Sequence, residues 1–246
     1  MFSHFFPESF LLIAVVFVLA GLIKGVVGMG LPTFSMALLV LFMDPAEAAA
    51  LLIIPSLVTN LWQAGPLRSV TPLLRRVGRM QLGIVVGTLA GALVLGAPTG
   101  RSASMALGVA LIIYSGWTLF GTQLSVPARS EKWLGSLIGV LTGAITAGTG
   151  VFVVPAVPYL QALGLDRDSL VQTMGISFTV STVALAVGLW INDSYSVGAV
   201  GASLVMLIPA LLGMYIGQSL RKSLSPKTFR LCFLTSLIVI GVYLVI

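Results

Sequence analysis

Apolar residues along this 246-residue chain fall into long blocks. They show neither the period-two alternation of a strand nor the one-sided stripe of a surface helix. Several blocks approach or exceed the roughly 20 residues a helix needs to cross a bilayer. A transmembrane β-barrel would be written in short alternating segments, so the pattern predicts an all-α polytopic membrane protein. Six blocks run uninterrupted, at about 47–65, 80–97, 102–121, 169–191, 197–220 and 228–246. Two others, 9–43 and 133–163, are broken by small-residue clusters closed by a proline. These read GLIKGVVGMGLP, ending at Pro32, and GAITAGTGVFVVP, ending at Pro155.

The order of these parts recurs. A shift of 122 positions lays Gly21 on Gly143, Gly28 on Gly150, Asp44 on Asp166 and Ile54 on Ile176. A shift of 126 lays Gly87 and Gly91 on Gly213 and Gly217, and Arg101 on Lys227. The chain therefore divides into a first repeat, 1–122, a linker, 123–132, and a second repeat, 133–246, together forming one transmembrane domain. Each repeat holds a broken apolar hairpin and three plain transmembrane helices, about eight membrane segments in all.

Charge orients the repeats. Arg68, Arg75, Arg76 and Arg79 lie between the first two plain blocks of the first repeat, whereas the matching loop Asn192–Ser196 has no Lys or Arg. After the next block the bias reverses: Arg101 alone in the first repeat, and Arg221, Lys222, Lys227 and Arg230 in the second. Short basic loops stay cytoplasmic, so the repeats are expected to be inverted, as in many secondary transporters. The linker, with Arg129 and Lys132, is then cytoplasmic and both termini are extracytoplasmic. The lone Arg101 counts mildly against placing its loop outside. Residues 133–163 must leave and regain the same side, and 31 residues fall short of the about 40 that two crossings need. Re-entrant hairpins result, with their tips at the glycine clusters.

In hydrocarbon, broken backbone survives only where protein or a wet cavity covers it. A glycine turn followed by proline opens a new half-helix whose free N–H groups suit an anion. The same glycines could equally serve close helix packing. Lys24, about 21 Å along a straight helix from Phe10, lies past the midplane. A lysine at that depth points to function, or to a long stem that snorkels outward. Its counterpart is Thr146, so the fold itself does not require a cation there. The candidate substrate-binding set is Lys24, Gly25, Gly28, Gly30 and Pro32 in the first tip, and Thr146, Gly148, Thr149, Gly150 and Pro155 in the second. Asn60, Gln172, Thr173 and Ser177 join it from the plain blocks that follow, although each could instead bond a neighbouring helix. Asp44 and Asp166 read better as helix N-caps than as a proton-coupling pair.

Composition removes other classes. The chain is 58% hydrophobic and 8% charged, with a net charge of +6 and mean hydropathy +1.10. Its basic residues sit between spans, which argues for orientation rather than nucleic-acid binding. Cys232 is alone, so no intrachain disulfide forms. His4, in the N-terminal tail, is the single histidine. No catalytic residue, metal site or cofactor is expected, since no serine elbow, zinc motif or phosphate-binding loop is present. No acidic residue lies centrally in a plain block, where a cation carrier would keep one.

The paired halves, GLIKGVVGMGLP, and GAITAGTGVFVVPAVPYLQALGLD followed by LVQTMGISF make the chain resemble the sulfite exporter TauE/SafE family over essentially its whole length. The resemblance implies a multi-pass permease of the cell membrane for small sulfur-containing anions, such as sulfite, thiosulfate or organosulfonates, or for organic acids. It implies no enzyme activity and leaves a coupling proton or ion, a homodimer and the direction of transport open. Val151 and Phe152 stand where a fuller glycine run would be expected, so the second tip is expected to be less open. An anion channel on the same frame, a non-transporting membrane subunit and an intramembrane enzyme are the competing classes; for the last, the chain offers no nucleophile–base pair.

Overall fold

In the computed structural model, which describes residues 8–122, 124–221 and 225–246, the chain is helical, with ten helices among the described residues. His4 and Lys222 lie outside them. The first five are α1 (Glu8–Val27), α2 (Leu31–Leu39), α3 (Pro45–Ala64), α4 (Leu67–Leu95) and α5 (Gly100–Phe120). The second five are α6 (Glu131–Thr149), α7 (Ala156–Ala162), α8 (Arg167–Ile191), α9 (Val197–Leu220) and α10 (Pro226–Val245). Seven of these, all but α2, α6 and α7, are long and apolar enough to cross a membrane.

Around an apolar core, burial departs in two ways from that of a protein in water. Leu93, Val94, Ile208 and Tyr215 are exposed, while Asn60, Thr142, Ser177 and Ser203 are fully buried. Lipid tails solvate apolar side chains without penalty, so the polar ones turn inward to find partners. The chain is a multi-pass membrane protein.

Sequence-marked stops and starts govern the helix ends. Asp44 caps α3, its Oδ1 accepting from the Ala46 N–H at 3.0 Å, with Pro45 in the first turn. Asp166 caps α8 by accepting from the N–H groups of Asp168 and Ser169 at 3.1 and 2.9 Å. Hydrogen bonding from the Ser169 side chain first, then from these backbone groups, holds the Asp166 carboxyl below the usual carboxylate range.

Helix α4 departs from expectation. It begins at Leu67 rather than near 80, so Arg68, Arg75, Arg76 and Arg79 lie on its first turns and not in a loop. At 29 residues it is about 43 Å long, well beyond a roughly 30 Å hydrocarbon core. Its arginine-bearing turns can therefore sit at the headgroups while the helix continues unbroken.

Two helix pairs pack backbone to backbone. A Cβ on Gly21 would lie 2.1 Å from the Ala210 carbonyl oxygen, and one on Gly217 would lie 2.2 Å from that of Leu22, so α1 runs parallel to α9. Gly83, Gly87, Gly139 and Gly143 make α4 and α6 parallel in the same way. These are small-residue contacts that let apolar helices approach closely where no hydrophobic effect pulls them together. Helices α3 and α8 meet antiparallel at the centre, Gln63 Nε2 donating to the Val171 carbonyl at 3.0 Å, and α5 packs on α10.

Polar side chains pin this frame. Pro55, inside α3, has no N–H for the Leu51 carbonyl. Ser203 of α9 replaces it, donating to Leu51 O at 2.8 Å while accepting from Ile54 N at 3.0 Å. Gln81 of α4 donates to Ser177 of α8 at 2.9 Å.

The two ends of the bundle differ in chemistry. At one, Arg76 pairs with Glu131 at 2.7 Å and donates to Leu163 O, and Tyr159 donates to Glu131 O. At the other, Asn192 donates to Ala92 O, the Gly100 N–H to Asp44 Oδ2, and Arg101 to Ile246 O. Arg76 and Ala92 are both on α4, about 24 Å apart along its axis.

Candidate functional site

The first break is short. Gly28 and Gly30 take left-handed φ values of 85° and 107° on either side of Met29. A built Cβ on Gly28 meets nothing, so backbone conformation alone selects glycine there. The Gly28 N–H closes α1 on the Lys24 carbonyl at 2.8 Å, and the Phe34 N–H opens α2 on Gly30 O at 2.8 Å, with Pro32 in the first turn of α2.

Helix α1 has 20 residues, about 30 Å, and is long enough to cross a bilayer by itself. Lys24 sits in its last turn, about 4.5 Å of rise from Val27. Gly25 lies inside α1, not in the break, and faces α9: a Cβ there would be 2.4 Å from the Met214 carbonyl oxygen.

Lys24 is buried to 4% exposure and donates its Nζ hydrogen to Asn60 Oδ1 of α3. Asn60 is fully buried, and its Nδ2 has no partner. One turn back on the same face, the Ser56 hydroxyl is also unpaired, as is that of Thr33 in α2. No carboxylate accompanies the ammonium: the ion pair recorded among the described residues is Arg76–Glu131, at the surface. The described residues hold no cluster of metal-ligating side chains. What results is a desolvated cation with spare amide and hydroxyl donors, an arrangement suited to an anion.

The second break is built differently. Gly150, at φ 70°, ends α6 by closing on Thr146 O at 2.8 Å. Val151, Phe152 and Val153 follow in non-helical backbone, essentially fully buried, and Pro155 leads into α7. Gly148 lies inside α6, half-buried against Leu95. The hydroxyls of Thr146 and Thr149 donate to carbonyls of their own helix, Thr142 O and Ile145 O, each at 2.7 Å. Thr149 also accepts from the Val151 N–H at 3.2 Å. The donors expected in this tip are thus already engaged within α6.

Of the remaining expected residues, Thr173 donates to Ser169 O of its own helix at 2.6 Å. Ser177 accepts from Gln81, and Gln172 lies against Gly65 at the α3–α4 turn. Ser56, Thr33 and Gln81 were missed by the sequence reading. Ser56 was legible in hindsight, four residues before Asn60 and hence on the same helix face; Thr33 and Gln81 gave no signal beyond being polar in an apolar block.

A family model described as Sulfite exporter TauE/SafE matches residues 13–244. No curated relative and no solved structure is similar enough to the chain to match. With seven span-length helices and a match over nearly its whole length, the chain belongs to the sulfite exporter TauE/SafE family of membrane transporters.

Proposed function

We propose that the protein is a secondary transporter of small sulfur-containing or organic anions in the cell membrane, binding its substrate at Lys24 and Asn60. The carrying observation is the buried Lys24 ammonium, which has a neutral amide for its partner and no carboxylate. A charge so placed is costly unless a counter-charge arrives, and an anion supplies it. Sulfite, sulfonate or carboxylate oxygens would accept from Nζ, from Asn60 Nδ2 and from the Ser56 and Thr33 hydroxyls.

Alternating access between two inverted repeats, 1–122 and 133–246 about the linker 123–132, is the mechanism we favour. Helix pairing supports it. Exchanging α1–α5 for α6–α10 turns α1–α9 into α6–α4 and α3–α9 into α8–α4, and leaves α3–α8 and α5–α10 in place. The two tips are unequal, however: Asn60 Nδ2 beside Lys24 is free at the first, whereas the Thr146 and Thr149 hydroxyls of the second are engaged within α6. Binding is therefore asymmetric within a symmetric frame.

The test is uptake and efflux of labelled sulfite, thiosulfate, sulfoacetate and short carboxylates in proteoliposomes, with and without a pH gradient. Saturable flux with counterflow is expected, lost in Lys24→Ala. If none of these anions moves, or Lys24→Ala carries them as fast, the reading fails. Flux without saturation or counterflow would instead identify an anion channel.

A further inference from the structure

A cavity opens at the Arg76–Glu131 end, apart from the Lys24–Asn60 contact. It holds about 540 Å³ and is lined by Trp117, Thr118, Thr122, Ser125, Gln161 and Arg230, among others. That volume is within the range of small-molecule sites. Ala162 also borders it, and the linker is tied there by the Val126 N–H to Ala162 O at 3.0 Å. Its polar lining and exposed guanidinium fit a hydrated oxyanion.

Two helices carry this cavity toward the first break. On α5, one turn in from Thr118, lies Tyr114, whose carbonyl accepts from the Thr118 hydroxyl at 2.6 Å. Tyr114 is 3% exposed, and its hydroxyl donates to Met29 Sδ at 3.2 Å. Met29 is the residue between Gly28 and Gly30, and Gly28 closes on Lys24. On α10, one turn in from Arg230, the Phe233 ring lies over Gly30 and meets the Phe34 ring at a tilt of 51°, with centroids 6.0 Å apart. Tyr114 and Phe233 thus stand between the cavity and the tip. A thioether is a weak acceptor, so the Tyr114–Met29 contact is held loosely for a buried phenol.

Part of the cavity lining, though not the Tyr114–Met29 contact, has a counterpart at the opposite end. A cavity of about 480 Å³ there is lined by Val40, Arg101, Ser104, Tyr243 and Leu244. The offset of 126 carries Trp117 to Tyr243, Thr118 to Leu244 and Ser104 to Arg230, and the offset of 122 carries Val40 to Ala162.

We infer that the Arg230 cavity is an antechamber that takes up a small oxyanion before it reaches Lys24, with Tyr114 against Met29 as the gate between them. This rests on the Lys24 reading for the destination of the anion, but the gate can be tested without transport. In full-length protein carrying Cys232→Ser, Ser56→Cys, beside the Lys24–Asn60 contact and with Met29 intact, is reacted with an anionic, membrane-impermeant methanethiosulfonate. Labelling is expected to be slow with Tyr114 present and about ten-fold faster with Tyr114→Ala, while Thr118→Cys labels quickly in both backgrounds. Should Tyr114→Ala fail to fold, Tyr114→Phe keeps the ring, loses the contact to sulfur, and is expected to give about three-fold. Equal Ser56→Cys rates with and without the tyrosine change overturn the gate, even if anions are transported. In proteoliposomes, Arg230→Gln is expected to raise the KM for sulfite about ten-fold at low ionic strength, a shift that shrinks below about two-fold at high salt as the field is screened. An unchanged KM, or a shift indifferent to salt, overturns the antechamber.

Discussion

Lys24 and Asn60 set the chemistry of this molecule within one contact. A buried ammonium bonded only to a neutral amide is a liability to the resting fold. Removing one partner is worse than removing both, because the survivor is left buried and unsatisfied. Asn60→Leu alone is expected to destabilise by about 2–3 kcal/mol, read as a lower melting temperature in detergent. The double change Lys24→Met with Asn60→Leu is expected to raise that temperature above the parent's while abolishing saturable anion flux. A double variant that is both less stable and inactive would recast the pair as a structural clamp. Function at the expense of stability is the general pattern of such sites.

Among the elements, caps and close packing decide stability. Asp166 caps α8 with its carboxyl held below the ordinary range. Its contribution is therefore complete above the unfolded carboxylate value, about 4, and lost as pH falls through the folded value. Asp166→Ala should melt below the parent at pH 7, and the gap should close as the medium is taken from about pH 5 to about pH 2. A gap that persists at low pH would show that the cap does not act through the carboxylate. Glycines separate into two kinds by their surroundings. A Cβ on Gly213 would lie 2.0 Å from the Val18 carbonyl oxygen, so Gly213→Ala must part α1 from α9, costing about 1–3 kcal/mol. Gly116, also helical, has open space at its Cβ, and Gly116→Ala is expected to stabilise by about 0.5–1 kcal/mol. Thermal unfolding of the two variants side by side checks both signs.

At the level of the whole molecule, the end chemistry forecasts topology. Ser130 precedes α6 beside Glu131, while Ser194 follows Asn192 at the Ala92 end. With Cys232→Ser as background, Ser130→Cys and Ser194→Cys should label from opposite faces of a sealed vesicle. Ser130→Cys is expected on the cytoplasmic face, where the arginines of α4 belong under the positive-inside rule. Labelling of both from one face would exclude the inverted arrangement.

Hydropathy and punctuation alone determined much of this. Blocks of apolar residues, Asp–Pro and Asp–Arg–Asp starts, and glycine–proline breaks placed the helices, because helix ends and membrane spans obey local rules. The start of α4 was misplaced by the same reasoning: four arginines read as a loop, yet a helix longer than the bilayer can carry them at the headgroups. Lys24 and Asn60 were each singled out as polar residues in apolar blocks, but nothing local says that they meet. Their contact, 36 positions apart in the chain, exists because α9 and α2, each packed against both α1 and α3, bring the two side chains within reach. The same holds for the glycines. Gly25 and Gly28 look alike in the text GLIKGVVGMGLP, yet one lies against the α9 backbone and the other makes the turn. The second tip shows the limit most plainly, since Thr146 and Thr149 are donors by residue type whose hydrogens the helix had already claimed. Residue type is written in the sequence, whereas which hydrogen bonds remain free is decided only when every neighbour is in place.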